Sequence, residues 1–331
     1  MTKTVLVTGG AGYVGSHSCK AFAEAGWNIV VYDNLSRGWR DFVRWGELIE
    51  GDLHDTAKLT EVLRDAKPDA VAHFAAFAYV AESMKQPEIY YQNNVAGTLS
   101  LLEAMRAADV RRLVFSSSCA TYGVHEELIT EETPQAPINP YGASKMIAER
   151  MIRDFGMAHG LKSVILRYFN AGGADPAGEI GERHDPEPHV IPLAIMGAMD
   201  GTFTFTINGT DFDTRDGTPV RDYVHVSDLA DAHWRALDYL DAGGESDVFN
   251  LGTGRGVSVS ELADAVSRVA GKSVPRQSGA RRPGDPPSLV ASAAKAERVL
   301  GWRPQRSDID TILETAWAWH QKDNHKSRPD N

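Results

Sequence analysis

Over the first half of the chain, short and almost continuously apolar runs alternate with stretches whose apolar residues recur every three or four positions. The runs predict strands at residues 4–8, 28–32, 47–50, 70–74, 112–116 and 163–167. The periodic stretches predict helices near 13–24, 57–65, 95–108 and 141–159. Such alternation builds a doubly wound parallel sheet with right-handed crossovers, and strands apolar throughout belong to a sheet covered on both faces. Beyond residue 170 the regularity stops. A long loop rich in Gly, Pro, Asp and Glu spans 172–189, followed by helical 191–199, extended 202–207, turn-rich 209–217, helical 228–240, extended 249–252 and helical 260–269. A second loop covers 281–287, helices follow near 292–299 and 309–320, and 322–331 reads as a polar, frayed end. The fold class is therefore α/β, with a smaller mixed α/β part after the main sheet. We expect one domain over 1–169, with elements near 219–250 returning to it, and a second mainly over 170–331.

The junction of the first strand and helix carries the first chemical signal. Gly10-x-Gly12-x-x-Gly15 and, in overlapping register, Gly9-x-x-Gly12-x-x-Gly15 fit the dinucleotide fingerprint, with Tyr13 and Val14 opening the helix. One glycine permits the tight turn, one lets backbone approach a pyrophosphate, and one lets helix and strand pack closely. The helix N-terminus offers free N–H groups and a positive dipole end to phosphates. Asp33 ends the second strand, about twenty residues on, where a carboxylate binds the ribose 2′-hydroxyl of NAD and repels a 2′-phosphate. Arg37, four residues later, leaves the NADP alternative open. The sheet is thus of Rossmann type, and 1–169 is the expected NAD-binding domain. Ligands of such sheets lie at the carboxyl ends of the strands. Asp52 and Leu53 follow the third strand, with Asp52 in reach of an adenine. Phe74, Ala75 and Ala76 end the fourth, where small residues admit a close backbone approach or simply pack. Asn93 and Asn94 open the next helix, as cofactor contacts or as a cap.

Composition narrows the partners. The 331 residues are 42% hydrophobic and 24% charged, as in ordinary globular chains of about two domains. A formal charge of −11 argues against a nucleic-acid surface but not against a nucleotide held by a few arginines. Two cysteines without metal spacing, no leader-like N-terminus and no membrane-length apolar run point to a cytoplasmic protein with no membrane partner.

Tyr141 is the one tyrosine of ten with a lysine, Lys145, four residues on. That spacing puts both on one helix face. A free phenol, with a pKa of about 10, is too weak a base at neutral pH, and a neighbouring ammonium together with a nicotinamide cation would lower it. The result is a general acid/base suited to moving a hydroxyl proton while hydride leaves the same carbon. Ser116, Ser117 and Ser118 end the fifth strand on the cofactor edge, and one hydroxyl there can bridge a substrate oxygen and Tyr141, with Thr121 a weaker candidate.

From Thr4 to about Trp319 the chain resembles the extended short-chain dehydrogenase/reductases and, within them, the UDP-glucose 4-epimerases. The resemblance rests on the glycine loop, Tyr32-Asp33-Asn34-Leu35-Ser36, Ser116-Ser117-Ser118, Asn139-Pro140-Tyr141-Gly142-Ala143-Ser144-Lys145 and Leu166-Arg167-Tyr168-Phe169-Asn170. It continues in Val220-Arg221-Asp222-Tyr223-Val224-His225, Asn250-Leu251-Gly252-Thr253-Gly254 and Arg281-Arg282-Pro283-Gly284-Asp285. It implies Tyr141 as acid/base, Lys145 as its activator and ribose anchor, and Ser118 as hydroxyl partner. It also implies NAD contacts at Asn34 and Ser36, and Tyr168 and Phe169 flanking the nicotinamide. Asn170, Val190 and Asn208 would contact the UDP-sugar, Arg221 and Arg282 the two phosphates, and Asp285 the uridine ribose. For Arg221 and Arg282, the residues alone allow surface ion pairing equally well.

Two positions depart from the family pattern. Ala78 stands where some members carry a lysine, and Leu289 stands at the position whose size gates 2-N-acetyl sugars. Glu182, His184, Asp185 and His189 lie in the 172–189 loop, but their Pro-broken spacing fits no usual metal site, so solvated side chains and no metal are expected. The implied activity is interconversion of UDP-glucose and UDP-galactose through a 4-keto sugar, with NAD kept tightly bound, in a homodimer formed through helices near 95–108 and 141–159. A UDP-xylose/UDP-arabinose 4-epimerase or another NDP-sugar-modifying enzyme shares the motifs. Ser118-Cys119-Ala120-Thr121-Tyr122 lacks the carboxylate of a dehydratase. A non-catalytic dinucleotide sensor would have no need of the Tyr141/Lys145 pair.

Overall fold

The computed structural model describes residues 2–323 apart from 126 and 202. The polar end expected over 322–331 therefore lies, from 324 on, outside the described residues.

The first half forms β1 (Thr4–Thr8), α1 (Tyr13–Glu24), β2 (Asn28–Asp33), β3 (Glu47–Glu50), α2 (Thr56–Ala66) and β4 (Ala70–His73). It continues with α3 (Gly97–Ala107), β5 (Arg112–Ser118), α4 (Pro140–His159) and β6 (Lys162–Tyr168). Past it come β7 (Asn170–Gly172), α5 (Val190–Asp200), β8 (Phe205–Asn208), β9 (Val220–His225), α6 (Val226–Asp241) and β10 (Asp247–Leu251). The remainder is β11 (Gly256–Ser258), α7 (Val259–Ala270), β12 (Arg276–Gly279), β13 (Ser288–Leu289), α8 (Ala294–Leu300) and α9 (Ile309–Asp323).

Among the described residues, seven parallel strands form one sheet in the order β10-β6-β5-β4-β1-β2-β3. The strand order reverses between β1 and β4, which opens a crevice at the carboxyl ends of those strands. Successive residues of β1 serve opposite faces: Val5 and Val7 join Phe22, Leu229 and Leu237 on one side, and Leu6 joins Leu59, Leu101 and Ile152 on the other. Burial on both faces accounts for the continuous apolar runs. β3 departs from that pattern because it is an edge strand, and Glu47 and Glu50 are exposed. β10 and α6, from late in the chain, return to this sheet and to α1. Smaller sheets, β11-β9-β13 with β7 on β9 and β12-β8, pack with α5, α7 and α9 around Ile195, Leu262 and Leu313.

Helix α4 shows how sequence sets local structure. Asn139 caps it by accepting from the Gly142 N–H at 2.8 Å, Pro140 occupies the first turn, and Gly160 ends it in the left-handed region at φ 72°. Its inner face carries Glu149, 0% exposed, whose carboxylate accepts from Arg167 Nη2 at 2.6 Å and Nε at 2.9 Å and from Ser117 Oγ at 2.6 Å. Without Arg167 the buried Glu149 charge keeps only the more exposed Arg153, 2.9 Å away, and breaking a buried pair costs about 3–5 kcal/mol. Arg167→Ala is expected to lower the thermal midpoint sharply, whereas the double variant Glu149→Leu/Arg167→Met recovers most of the loss. Differential scanning calorimetry of the three proteins checks this.

His17, His73, His225 and His233 are buried, and burial lowers each from 6.5, to about 4, 3, 4 and 4 respectively. Below pH 6.5 the unfolded chain binds protons that these folded imidazoles refuse. Their contribution is complete above pH 6.5 and is lost as pH falls toward 4. The urea midpoint is therefore expected to fall steadily from pH 6.5 to pH 4, and His73→Asn to shallow that slope.

Candidate active site

A single cavity of ≈ 950 Å³ runs along the carboxyl edge of the sheet and out to β8, β9 and β13. Its floor is the glycine loop. Gly9 has φ 75°, and a Cβ there would stand 2.5 Å from the Ala75 N, while a Cβ on Gly15 would stand 2.2 Å from the Gly9 carbonyl oxygen. The loop is thus clamped between β4 and α1, with backbone rather than side chains facing the cavity. Asp33 accepts from the Ala11 N–H at 3.0 Å and the Leu35 N–H at 2.8 Å, so its carboxylate is oriented by the loop it borders. Asn34 donates to Asp52 at 2.7 Å, and Asn34 Oδ1 accepts from the Ser36 N–H at 3.0 Å. Gly12, Tyr13, Val14, Asp52, Leu53, Phe74, Ala75, Ala76 and Asn93 also line this half. A glycine floor that a Cβ would fill, a helix N-terminus and a strand-end carboxylate fit an adenine dinucleotide.

Arg37 is committed elsewhere. Its Nη2 donates to both Glu82 oxygens at 2.9 and 2.7 Å, and its guanidinium lies 4.0 Å from the Phe77 ring and 4.5 Å from the Tyr79 ring. To receive a 2′-phosphate through Nη2 it would have to give up Glu82. Ala78 lines the cavity between those two aromatic residues. Asn93 and Asn94 are not a helix cap. They lie in a π-helical turn, Tyr91–Ala96, ahead of α3, and the Asn94 amide brackets Phe77 by accepting from its N–H and donating to its C=O. The extra backbone of that turn rotates Asn94 inward.

At the other end stand the reacting side chains. Residues alternate along β5, so Ser117 turns to Glu149 while Ser118 reaches the cavity beside Tyr141, its Oγ accepting from the Ala120 N–H at 3.1 Å. Ser116 donates to the Tyr168 hydroxyl at 3.0 Å, and Thr121, fully buried, donates to the Ser118 carbonyl. Lys145 lies one helical turn from Tyr141 but does not line the cavity. It is buried, with Nζ donating to the Ser116 carbonyl at 2.8 Å and standing over the Phe115 ring. Burial lowers it to about 7, with the Glu149 carboxylate opposing the shift. Tyr141 is pushed well up, again by burial. The lowered phenol expected from sequence is therefore not a property of the protein's own field. In that field desolvation by burial is the largest influence on the phenol.

The far wall is more polar. Arg221, buried, donates to the Asp285 carboxylate and to the Val220 carbonyl. The Asn208 carbonyl oxygen accepts from Arg282 Nε and Nη2, both at 2.9 Å. Neither arginine is a surface ion pair. Asn170 donates to the Asp222 carbonyl at 3.2 Å, and Val190 and Leu289 complete the lining. Tyr223 also lines this wall, and its buried hydroxyl has no hydrogen-bond partner among the described residues. Its place next to Arg221 and Asp222 in the chain was its only sequence signal.

The 172–189 loop differs most from expectation. Asp185 is exposed as expected, but Glu182 is only 5% exposed, and Glu182, His184 and His189 line the cavity rather than standing free in solvent. Trp319 donates to the Glu182 carbonyl at 2.9 Å and Asp323 pairs with Arg183, so α9 draws the loop inward. Burial raises Glu182 to about 8, while contacts with His184 and His189 hold Glu187 far below the usual carboxylate range.

Residues 5–252 match the NAD dependent epimerase/dehydratase family. The chain is 54% identical over 321 residues to a UDP-glucose 4-epimerase of Rhizobium meliloti (strain 1021), covering 97% of this chain and 98% of that one. In structure it is similar to UDP-glucose 4-epimerase from Brucella ovis in complex with NAD, with TM-score 0.93, 51% identity and 96% and 98% of the two chains covered. It is likewise similar to the enzyme from Bifidobacterium longum in complex with NAD+ and UDP, with TM-score 0.93, 37% identity and 98% and 99% covered. The glycine floor, the Tyr141 and Ser118 pair and this likeness together place the chain: it belongs to the NAD dependent epimerase/dehydratase family, within the extended short-chain dehydrogenase/reductases.

Proposed function

We propose that this protein is a UDP-glucose/UDP-galactose 4-epimerase that holds NAD. The observation that carries the reading is one cavity with a dinucleotide floor at one end, Tyr141 and Ser118 in the middle, and the buried Arg221 and the exposed Arg282 at the other. The names and NAD or UDP complexes of its relatives support it. NAD, when bound, accepts a hydride from sugar C4 and returns it. Tyr141, with Ser118 beside it, takes the 4-hydroxyl proton and later gives one back, so no net oxidation results. Lys145, one turn along α4, is assigned to stabilise the phenolate and anchor the nicotinamide ribose, for which its Nζ would turn from the Ser116 carbonyl into the cavity. Gly9, Gly12, Tyr13, Val14, Asp33, Asn34, Ser36, Asp52, Leu53, Phe74, Ala75, Ala76, Asn93 and Tyr168 hold the dinucleotide. Asn170, Val190, Asn208, Arg221, Arg282, Asp285 and Leu289 hold the UDP-sugar, with bidentate arginine suited to a diphosphate.

In this reading 1–169, joined by α6 and β10 from the 219–250 region, binds NAD, and 170–331 mainly binds the UDP-sugar. A homodimer through α3 and α4 is supported by the exposure of Leu99 and Met157 on those helices. No helix among the described residues is long and apolar enough to cross a membrane, and both cysteines are free and buried, which supports a cytoplasmic setting.

The primary test mixes purified protein, without added NAD, with UDP-galactose and separately with UDP-xylose, and follows products by NMR. UDP-glucose should form without net NADH, and faster than UDP-arabinose. Intact starting sugars in both tubes overturn the reading. Tyr141→Phe is expected to lose about 10²–10⁴-fold in turnover while retaining bound NAD(H), whereas a sensor would be unaffected. Leu289→Tyr, adding bulk at the sugar end, should lower turnover of UDP-N-acetylglucosamine relative to UDP-glucose in the same assay. Light scattering should return twice the 36.1 kDa chain mass; the single mass would exclude the dimer.

A further inference from the structure

Four metal-ligating side chains meet in the 172–189 loop, outside the groups given roles above. Each of Glu182, His184, Glu187 and His189 offers one atom, and these atoms all lie within 4.8 Å of one another. Glu182 Oε1 is 3.5 Å from His184 Nδ1 and 3.1 Å from His189 Nδ1. Glu187 turns one oxygen to each imidazole, 3.3 Å from His184 Nδ1 and 2.8 Å from His189 Nδ1. Ligands at zinc distances in a tetrahedron stand about 3.4 Å apart, so these carboxylate–imidazole edges are near closing, while the widest separation, up to 4.8 Å, would contract around an ion.

We propose that Glu182, His184, Glu187 and His189 form a binding site for one divalent transition ion of the zinc type. Two imidazoles and two carboxylates favour zinc or cobalt over magnesium or calcium, which prefer six or more oxygen ligands. Neutral imidazoles and two carboxylates sum to −2, which a divalent ion cancels inside a wall whose side chains are 6–37% exposed. The surroundings are those of a built site. Tyr79 sets its ring against both imidazoles at 5.7 and 5.5 Å, and Tyr13 packs on His184. The Glu182 carbonyl is held by Trp319, and Arg183 turns away to Asp41 and Asp323, leaving the cluster to its four ligands. Four protein ligands make the site closed, so the ion fixes the loop that walls the cavity rather than entering the chemistry. Ligation displaces the protons the imidazoles now share with the carboxylates.

The test uses the full chain as purified, dialysed against chelator and titrated with Co²⁺ alone, then with Zn²⁺. One equivalent of Co²⁺ should bind with the intense visible absorption of a four-coordinate ion, one Zn²⁺ should displace it, and Zn²⁺ should raise the thermal midpoint. Glu187→Gln, which preserves shape, and His184→Ala should each weaken Co²⁺ by about 100-fold or more, beyond the range of outer-shell changes. His159→Ala, at the exposed end of α4, should not. Circular dichroism establishes that each variant is folded, and Glu187→Gln decides the matter if His184→Ala is not. Binding well below one equivalent, weak six-coordinate absorption, or binding indifferent to Glu187→Gln would show a proton-sharing His/Glu network and overturn the site.

Discussion

The reacting end of the cavity hangs on one buried ion pair. Glu149 and Arg167 sit at 0% and 3% exposure between α4 and the β5/β6 edge, and their charges are matched by Ser117, Tyr122, Gln135 and Arg153. Such a pair adds little net stability over a well-packed apolar substitute. Its consequence is geometric. Ser117 must face inward to reach Glu149, and strand alternation then sends Ser116 and Ser118 to the opposite face. Two turns earlier on the same helix Tyr141 meets Ser118. The same carboxylate is the one charge opposing the desolvation of Lys145.

A comparable economy governs the cations. The chain carries 45 acidic against 34 basic side chains, so its cavity cannot attract a diphosphate through net charge. Arg37 is bound to Glu82, Arg221 to Asp285, and Arg282 to the neutral amide of Asn208. An anion entering the far end must compete with a carboxylate for Arg221 but only with an amide for Arg282. Guanidinium groups already oriented by protein acceptors can give a phosphate directional, bidentate contacts that a diffuse positive surface does not.

Most of the main sheet was legible because its strands are buried on both faces. Their apolar runs lie within two residues of the observed bounds, from Thr4–Thr8 to Lys162–Tyr168. β7, β9, β11, β12 and β13 were not, since these strands pair with partners far along the chain, as Arg276 does with Phe205 and Leu289 with Arg221. Spacing located Tyr141 and Lys145, but it could not show Lys145 drawn behind the wall onto the Ser116 carbonyl. Nor could it show Glu182 and Arg183 buried, because their environment is supplied by Trp319 and Asp323, more than 130 residues on. A local pattern reveals what a local period or cap decides. The 182–189 loop is decided by α9.

The same dependence on distant packing bears on substrate choice. Leu289 is not an isolated gate. It is buried with Cys119, Tyr122, Phe169 and Ala291, and Ile129 bridges to the strand beside it. Cys119 follows Ser118 directly and Phe169 follows Tyr168, so this small core joins the sugar-facing wall to the acid/base pair. A change of volume at 289 is therefore transmitted, through close packing, toward Ser118 and Tyr168. Under the proposed function, size selection and catalytic geometry would share one set of contacts, and a side chain at 289 would have to satisfy both.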